Sequence, residues 1–200
     1  NSRRRVICMV RCYARRPRII AATPNRTLMS DTPPAPLSVT EHSRDASGMT
    51  YIYPVVSRRA GGVSIGINLN PNNACNWRCV YCQVPGLTRG GPPPIDVYVL
   101  RQELEQLLND IQLGDFLQTR VPAEARQLVD VAFSGNGEPT SAREFPLVVA
   151  IVIDVLRQRG VLPGLPVRLI TNGSLLDRAT VQHGIEALGK AAGPEEIAQL

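Results

Sequence analysis

The chain has 200 residues, 44% apolar and 20% charged, enough for one domain whose core removes roughly 70% of the unfolded surface from water. No apolar run is long enough to span a bilayer, and the most apolar one, residues 145–156, is interrupted by Asp154 and reads as a buried helix. The net charge of +5 would suggest a nucleic-acid binder, but residues 1–30 hold eight of the 22 basic side chains and no acid, so residues 31–200 carry 14 basic against 17 acidic groups, a net of −3; that body lacks the footprint a phosphate backbone requires.

Residues 1–48 read as an Arg-rich leader followed by a disordered Pro/Ser-rich arm. Met29 is a plausible true start, which makes residues 1–28 an upstream extension; an acid-free, Arg-rich presequence also suits a mitochondrial transit peptide. Residues 50–59 suggest a short strand, confined to a sheet edge by Pro54. A β-rich run at 61–70 leads directly into "NACNWRCVYCQ", and a Pro/Gly-rich stretch at 83–94 is expected to be irregular.

Apolar residues at Val97, Leu100, Leu104, Leu107, Leu108 and Ile111 predict a helix over 95–112. Residues 126–135 end in a strand, and "NGEPT" turns. Ser141 and Glu144 fit a capping box for a helix running to about Arg159. "VRLIT" (167–171) is a third strand, "NGS" turns, and a last helix occupies about 177–190. Three repeats of strand, loop and helix imply an α/β fold with parallel strands. The informative loops all follow strand C-termini, where such folds place their chemistry.

Three of the five cysteines, Cys75, Cys79 and Cys82, fall within eight residues. The odd count, the clustering and the lack of a convincing secretory signal favour metal-bound thiolates in a reducing cytoplasm over disulfides. Structural zinc wants four protein ligands. The other candidates are Cys8 and Cys12 in the leader, His42 in the arm and His183 on a helix face, read as solvated; none makes a convincing fourth ligand. Three thiolates in one loop suit an iron–sulfur cubane with one open iron.

"CNWRCVYC" resembles the CxxxCxΦC signature of the radical S-adenosylmethionine (SAM) superfamily, with Tyr81 as the aromatic. "FSGNGEPT" (133–140) resembles its GGEP motif, and "LITNGS" (169–174) its segment after the third strand. The wording is most similar to Fe–S oxidoreductases related to wyosine-synthesis enzymes, and less so to glycyl-radical-enzyme activases.

The resemblance implies a partial (β/α) barrel over residues 49–200, apparently truncated after about three βα units. It implies a 4Fe–4S cluster held by Cys75, Cys79 and Cys82. The SAM contacts it implies are Tyr81, Gly135, Gly137, Glu138, Pro139, Thr171 and Asn172. It further implies an oxidoreductase that reductively cleaves SAM to a 5′-deoxyadenosyl radical for hydrogen abstraction. An electron donor such as flavodoxin or ferredoxin would serve it, and nucleic acid enters only as a substrate for modification. The family's core normally has six βα units, and the wyosine-related branch carries catalytic lysines and a second cluster; Lys190 is the only lysine here. The alternative is a truncated, non-catalytic Fe–S or zinc-binding remnant or interaction module. The three sulfurs are expected to converge on one pocket at the carboxyl edge of the sheet.

Overall fold

A computed structural model describes Leu37, residues 48–57 and residues 60–192. Cys8, Cys12, His42 and all of the expected leader lie outside the described residues. Leu37, placed in the expected disordered arm, is buried in the core, and its amide donates to the Arg120 carbonyl at 2.8 Å. That position is therefore packed.

The main sheet has four strands: β1 (Ile52–Ser57), β2 (Gly62–Ile67), β5 (Leu128–Phe133) and β6 (Val167–Leu169), in the order β1-β2-β5-β6. β1 runs antiparallel to β2, with Pro54 opposite Ile65. The edge position follows from the missing proline amide hydrogen. β2, β5 and β6 are mutually parallel, as the strand–loop–helix repeats predict.

Side chains alternate along each strand. One set packs with the helices in a single hydrophobic core: Ile52 and Val56 of β1, Val63, Ile65 and Ile67 of β2, Val131 and Phe133 of β5, and Leu169 of β6. Three helices supply the other half. Helix α1 (Val97–Gln112) buries Leu100, Leu104, Leu107, Leu108 and Ile111, the stripe read from the sequence. Its start is capped by Asp96, which accepts from the amides of Tyr98 and Val99. Glu103 of α1 also accepts from the amides of Thr50, Tyr51 and Ile52, which fixes the entry to β1 against the helix. Helix α3 (Phe145–Gln158) buries seven residues, and Phe145 meets Phe133 edge-on at 5.8 Å between centroids. Helix α4 is Ala179–Ala192, and His183 lies exposed upon it, as expected.

Two expectations need correction. The capping box at Ser141 and Glu144 does not form. Pro139–Ser141 make a short 3-10 turn, Ser141 Oγ donates to the Glu138 carbonyl at 2.6 Å, and α3 begins later behind Glu144, which caps nothing with its side chain. Pro146 in the first turn tolerates that start. The stretch 83–94 is not wholly irregular either: β4 (Thr88–Arg89) pairs in parallel with β3 (Ala74–Cys75). The short helix α2 (Phe116–Arg120) carried no sequence signal of its own.

No described helix is long and apolar enough to cross a membrane. Leu104 is fully buried among β-sheet and helix side chains. Replacing Leu104 with Ala is expected to cost about 2–5 kcal/mol, measured as a shift of the urea midpoint at unchanged slope.

Candidate iron–sulfur and cofactor site

Three loops meet at the C-terminal ends of β2, β5 and β6. The first leaves β2 through Asn68, Leu69 and Asn70, passes through β3, and carries all three cysteines. β3 and β4 close its base: the Thr88 amide donates to the Asn73 carbonyl at 2.9 Å, and the Gly90 amide to the Cys75 carbonyl at 3.0 Å. Residues 76–87 thus form an excursion tied at its neck. Within it the Cys82 amide donates to the Cys79 carbonyl at 3.1 Å.

The cysteines are graded in exposure. Cys75 is buried, Cys79 half-buried and Cys82 exposed, and all three are free thiols. Cys79 and Cys82 line one open cavity of about 480 Å³ with Arg78, Val80, Val84 and Leu87. Cys75 sits on β3 and does not line it, so the expected convergence of three sulfurs on one pocket is not what the loop shows. Trp77 and Tyr81 are exposed on the same loop, with the Arg89 guanidinium 5.9 Å from the Trp77 ring centroid.

Asparagines hold this loop to the other two. Asn68 and Asn70 are buried at 4% and 1% exposure. Asn68 Oδ1 accepts from the amides of Asn70 and Asn136, at 3.0 and 3.1 Å. Asn70 Nδ2 donates to the Ala74 carbonyl at 2.8 Å. Asn136 Nδ2 donates to Asn73 Oδ1 at 2.6 Å, so the loop after β5 grips the cysteine loop directly. Asn73 itself takes a left-handed φ of 55°, a conformation that asparagine tolerates better than most residues. Asn76, next to Cys75, accepts from Asn172 Nδ2 at 3.1 Å and donates to Ser174 Oγ at 2.8 Å, which joins the cysteine loop to the loop after β6.

The glycines of the second loop have a reason of the same kind. A Cβ on Gly135 would lie 2.9 Å from the Asn68 Cα, and one on Gly137 would lie 2.7 Å from the Asn70 side-chain amide. Both keep the two loops in contact. Pro139 is buried and opens the 3-10 turn.

Glu138 is 2% exposed. Its Oε1 accepts from the Thr140 amide (3.1 Å), Thr140 Oγ1 (2.6 Å) and Thr171 Oγ1 (2.7 Å). Its Oε2 accepts from the Asn172 amide at 2.6 Å and keeps a further lone pair. Thr171 Oγ1 also accepts from the Gly173 amide at 3.0 Å, and Asn172 Oδ1 from the Ser174 amide at 2.9 Å. The residues expected to touch SAM from the second and third loops are therefore brought together, through contacts with one another. Sequence reading missed the asparagine lattice. The signal was present in the five asparagines among residues 68–76.

The donor chemistry fits an iron–sulfur cluster: three free thiols in one polar loop, with no disulfide partner among the described residues. Among the described residues no three His, Cys, Asp or Glu side chains are arranged to hold a single metal ion. The class of protein follows. The sequence model of the radical SAM superfamily matches residues 69–195, more than half of the chain, and the protein belongs to that superfamily.

Among curated proteins, the chain is 31% identical over 133 residues to the UPF0026 protein MJ1312 of Methanocaldococcus jannaschii, covering 66% of this chain and 36% of that protein. It is 28% identical over 123 residues to a protein named GTPase Obg from Brachyspira hyodysenteriae, covering 62% of this chain and 15% of that protein. The chain thus spans only 15% to 36% of the length of these relatives. The GTPase name brings no phosphate loop with it. The GxxxxGK spacing at residues 184–190 lies inside α4 and is followed by Ala191 rather than Ser or Thr. No solved structure matches the chain.

Replacing Glu138 with Ala strands four donors, three of them on residues that are themselves buried. One unsatisfied buried donor costs about 1–3 kcal/mol, so the variant is expected to lose at least about 2 kcal/mol. Hydrogen exchange should accelerate first at the amides of Thr140 and Asn172.

Proposed function

We propose that the protein binds a 4Fe–4S cluster through Cys75, Cys79 and Cys82 and uses it on SAM as an oxidoreductase of the radical type. The observation that carries this is the tethering of the three-cysteine loop to both neighbouring strand-end loops, by Asn73–Asn136 and by Asn76–Asn172. A loop that only wrapped a metal would need neither tie.

Held by Cys75, Cys79 and Cys82, a cluster would supply one-electron reduction of bound SAM, the chemistry that initiates hydrogen abstraction from a substrate. The chain's own residues bind and orient. The thiols of Cys75, Cys79 and Cys82 ligate as thiolates, releasing protons on loading. Tyr81, beside the last cysteine, offers an aromatic face to adenine.

Glu138 Oε2 has one acceptor position left for the methionyl ammonium, and its other bonds fix its direction. Gly135, Gly137 and Pro139 shape the turn that presents it. Thr171 and Asn172 hold the rim of the site for the carboxylate or ribose, while their side chains hold Glu138 and Asn76. A flavodoxin- or ferredoxin-like donor would supply the electron, and the cytoplasm is the compartment in which such thiolates stay reduced.

Anaerobic reconstitution of the full chain is expected to give a brown protein with about four irons that forms 5′-deoxyadenosine from SAM and dithionite. Single Cys→Ser changes at positions 75, 79 or 82 should abolish iron retention. Glu138→Ala should keep its iron and lose SAM affinity. A colourless wild-type chain that holds zinc instead would overturn the proposal.

A further inference from the structure

The sheet has a second face. Strand alternation puts Tyr53 of β1, Ser64 and Gly66 of β2, Asp130 and Ala132 of β5 and Arg168 of β6 on the side away from the helices. Tyr53 and Ala132 are buried, yet neither belongs to the helix-side core. This face is polar. Ser64 Oγ donates to Asp130 Oδ1, Tyr53 Oη and Ser134 Oγ share a hydrogen bond of 2.8 Å, and Asp130 Oδ2 pairs with Arg168 Nη1 at 3.0 Å.

Arg168 is only partly used by these contacts. Asp130, whose side chain is 5% exposed, occupies Nη1 alone. Nε is buried and has no hydrogen-bond partner, and Nη2 has no acceptor among the described residues. Nε and Nη2 form the side of a guanidinium that matches two oxygens of a planar or tetrahedral oxyanion. A buried charged donor left without an acceptor is costly, and an incoming oxyanion removes that cost. The side chain remains reachable, at 23% exposure.

We infer that Arg168 is the anion-binding residue of the substrate site, and that the substrate carries a carboxylate or phosphate. This deepens the reading above and rests on it for the word substrate. The position sets the reach. Arg168 lies three residues before Thr171, and a strand advances about 3.3 Å per residue. An anion seated on Arg168 therefore leaves the rest of its molecule about 10 Å of path towards the loop rim where Glu138 and Asn172 meet.

Acetate and, separately, inorganic phosphate are titrated into the full chain at constant ionic strength. The ¹⁵Nε–H resonance of Arg168 is followed by NMR and assigned by its loss in Arg168→Lys. Either anion is expected to move it saturably, with half-saturation at millimolar concentration. Saturation by acetate alone identifies a carboxylate substrate, and by phosphate alone a phosphorylated one. Arg168→Lys, followed through neighbouring backbone amides, should bind about tenfold more weakly. Asp130→Asn should bind more tightly, because its carboxylate no longer competes for the guanidinium; a purely structural ion pair would not give that result. Linear, unsaturable shifts overturn the inference, as does unchanged affinity in folded Arg168→Lys or weakened affinity in folded Asp130→Asn. Iron content is measured in parallel. A wild-type chain that takes up no iron sinks the radical reading, while the titration still decides the anion site.

Discussion

The arrangement of the site depends on one buried carboxylate. Glu138 stands at the end of the second strand loop and accepts from its own 3-10 turn and from both Thr171 and Asn172 of the third. The fold brings three strand ends to one edge, but that alone sets their loops no closer than the strands. Glu138 closes two of them together, and Asn172 passes the constraint on to Asn76 beside Cys75. A chain of polar side chains thus runs from the cysteine loop across the sheet. The links are 2.6–3.1 Å long and mostly buried, where hydrogen bonds are strong if satisfied and costly if not.

The division of labour between the two faces of the sheet follows from the same strands. The helix side is apolar and holds the molecule together through Phe133, Phe145 and the α1 leucines. The opposite side carries Tyr53, Ser64, Asp130 and Arg168. A sheet buried by helices on one face gains little stability from polar groups on the other. Their presence, with a guanidinium edge unpartnered, is better explained by a ligand than by folding.

Much of this was legible in the sequence, for identifiable reasons. The α1 stripe is a plain 3.6-residue period, and Pro54 can occupy only an edge. The cysteine spacing and the two turn motifs stood out because glycine, proline and cysteine are informative residue types. What escaped was relational. The capping box at Ser141 failed because Ser141 was drawn into the 3-10 turn behind Glu138, a competition between two local bonds that periodicity does not weigh. β3 and β4 are two residues each, too short for any pattern. Gly135 and Gly137 look like glycines cleared for a ligand; in the fold they also clear space for Asn68 and Asn70. The asparagines stand in plain view in the sequence, but their partners lie up to 98 residues away.

The gradient from buried Cys75 to exposed Cys82 has a consequence for biogenesis. The hydrophobic core lies on the helix side of the sheet and owes nothing to the thiols, in contrast to small zinc domains that gain their fold only with metal. The apolar core is therefore complete without a contribution from the thiols. On the proposed reading, a cluster arriving from solvent would meet Cys82 first and Cys75 last, and Cys75, joined through Asn76 to the third loop, would close the site.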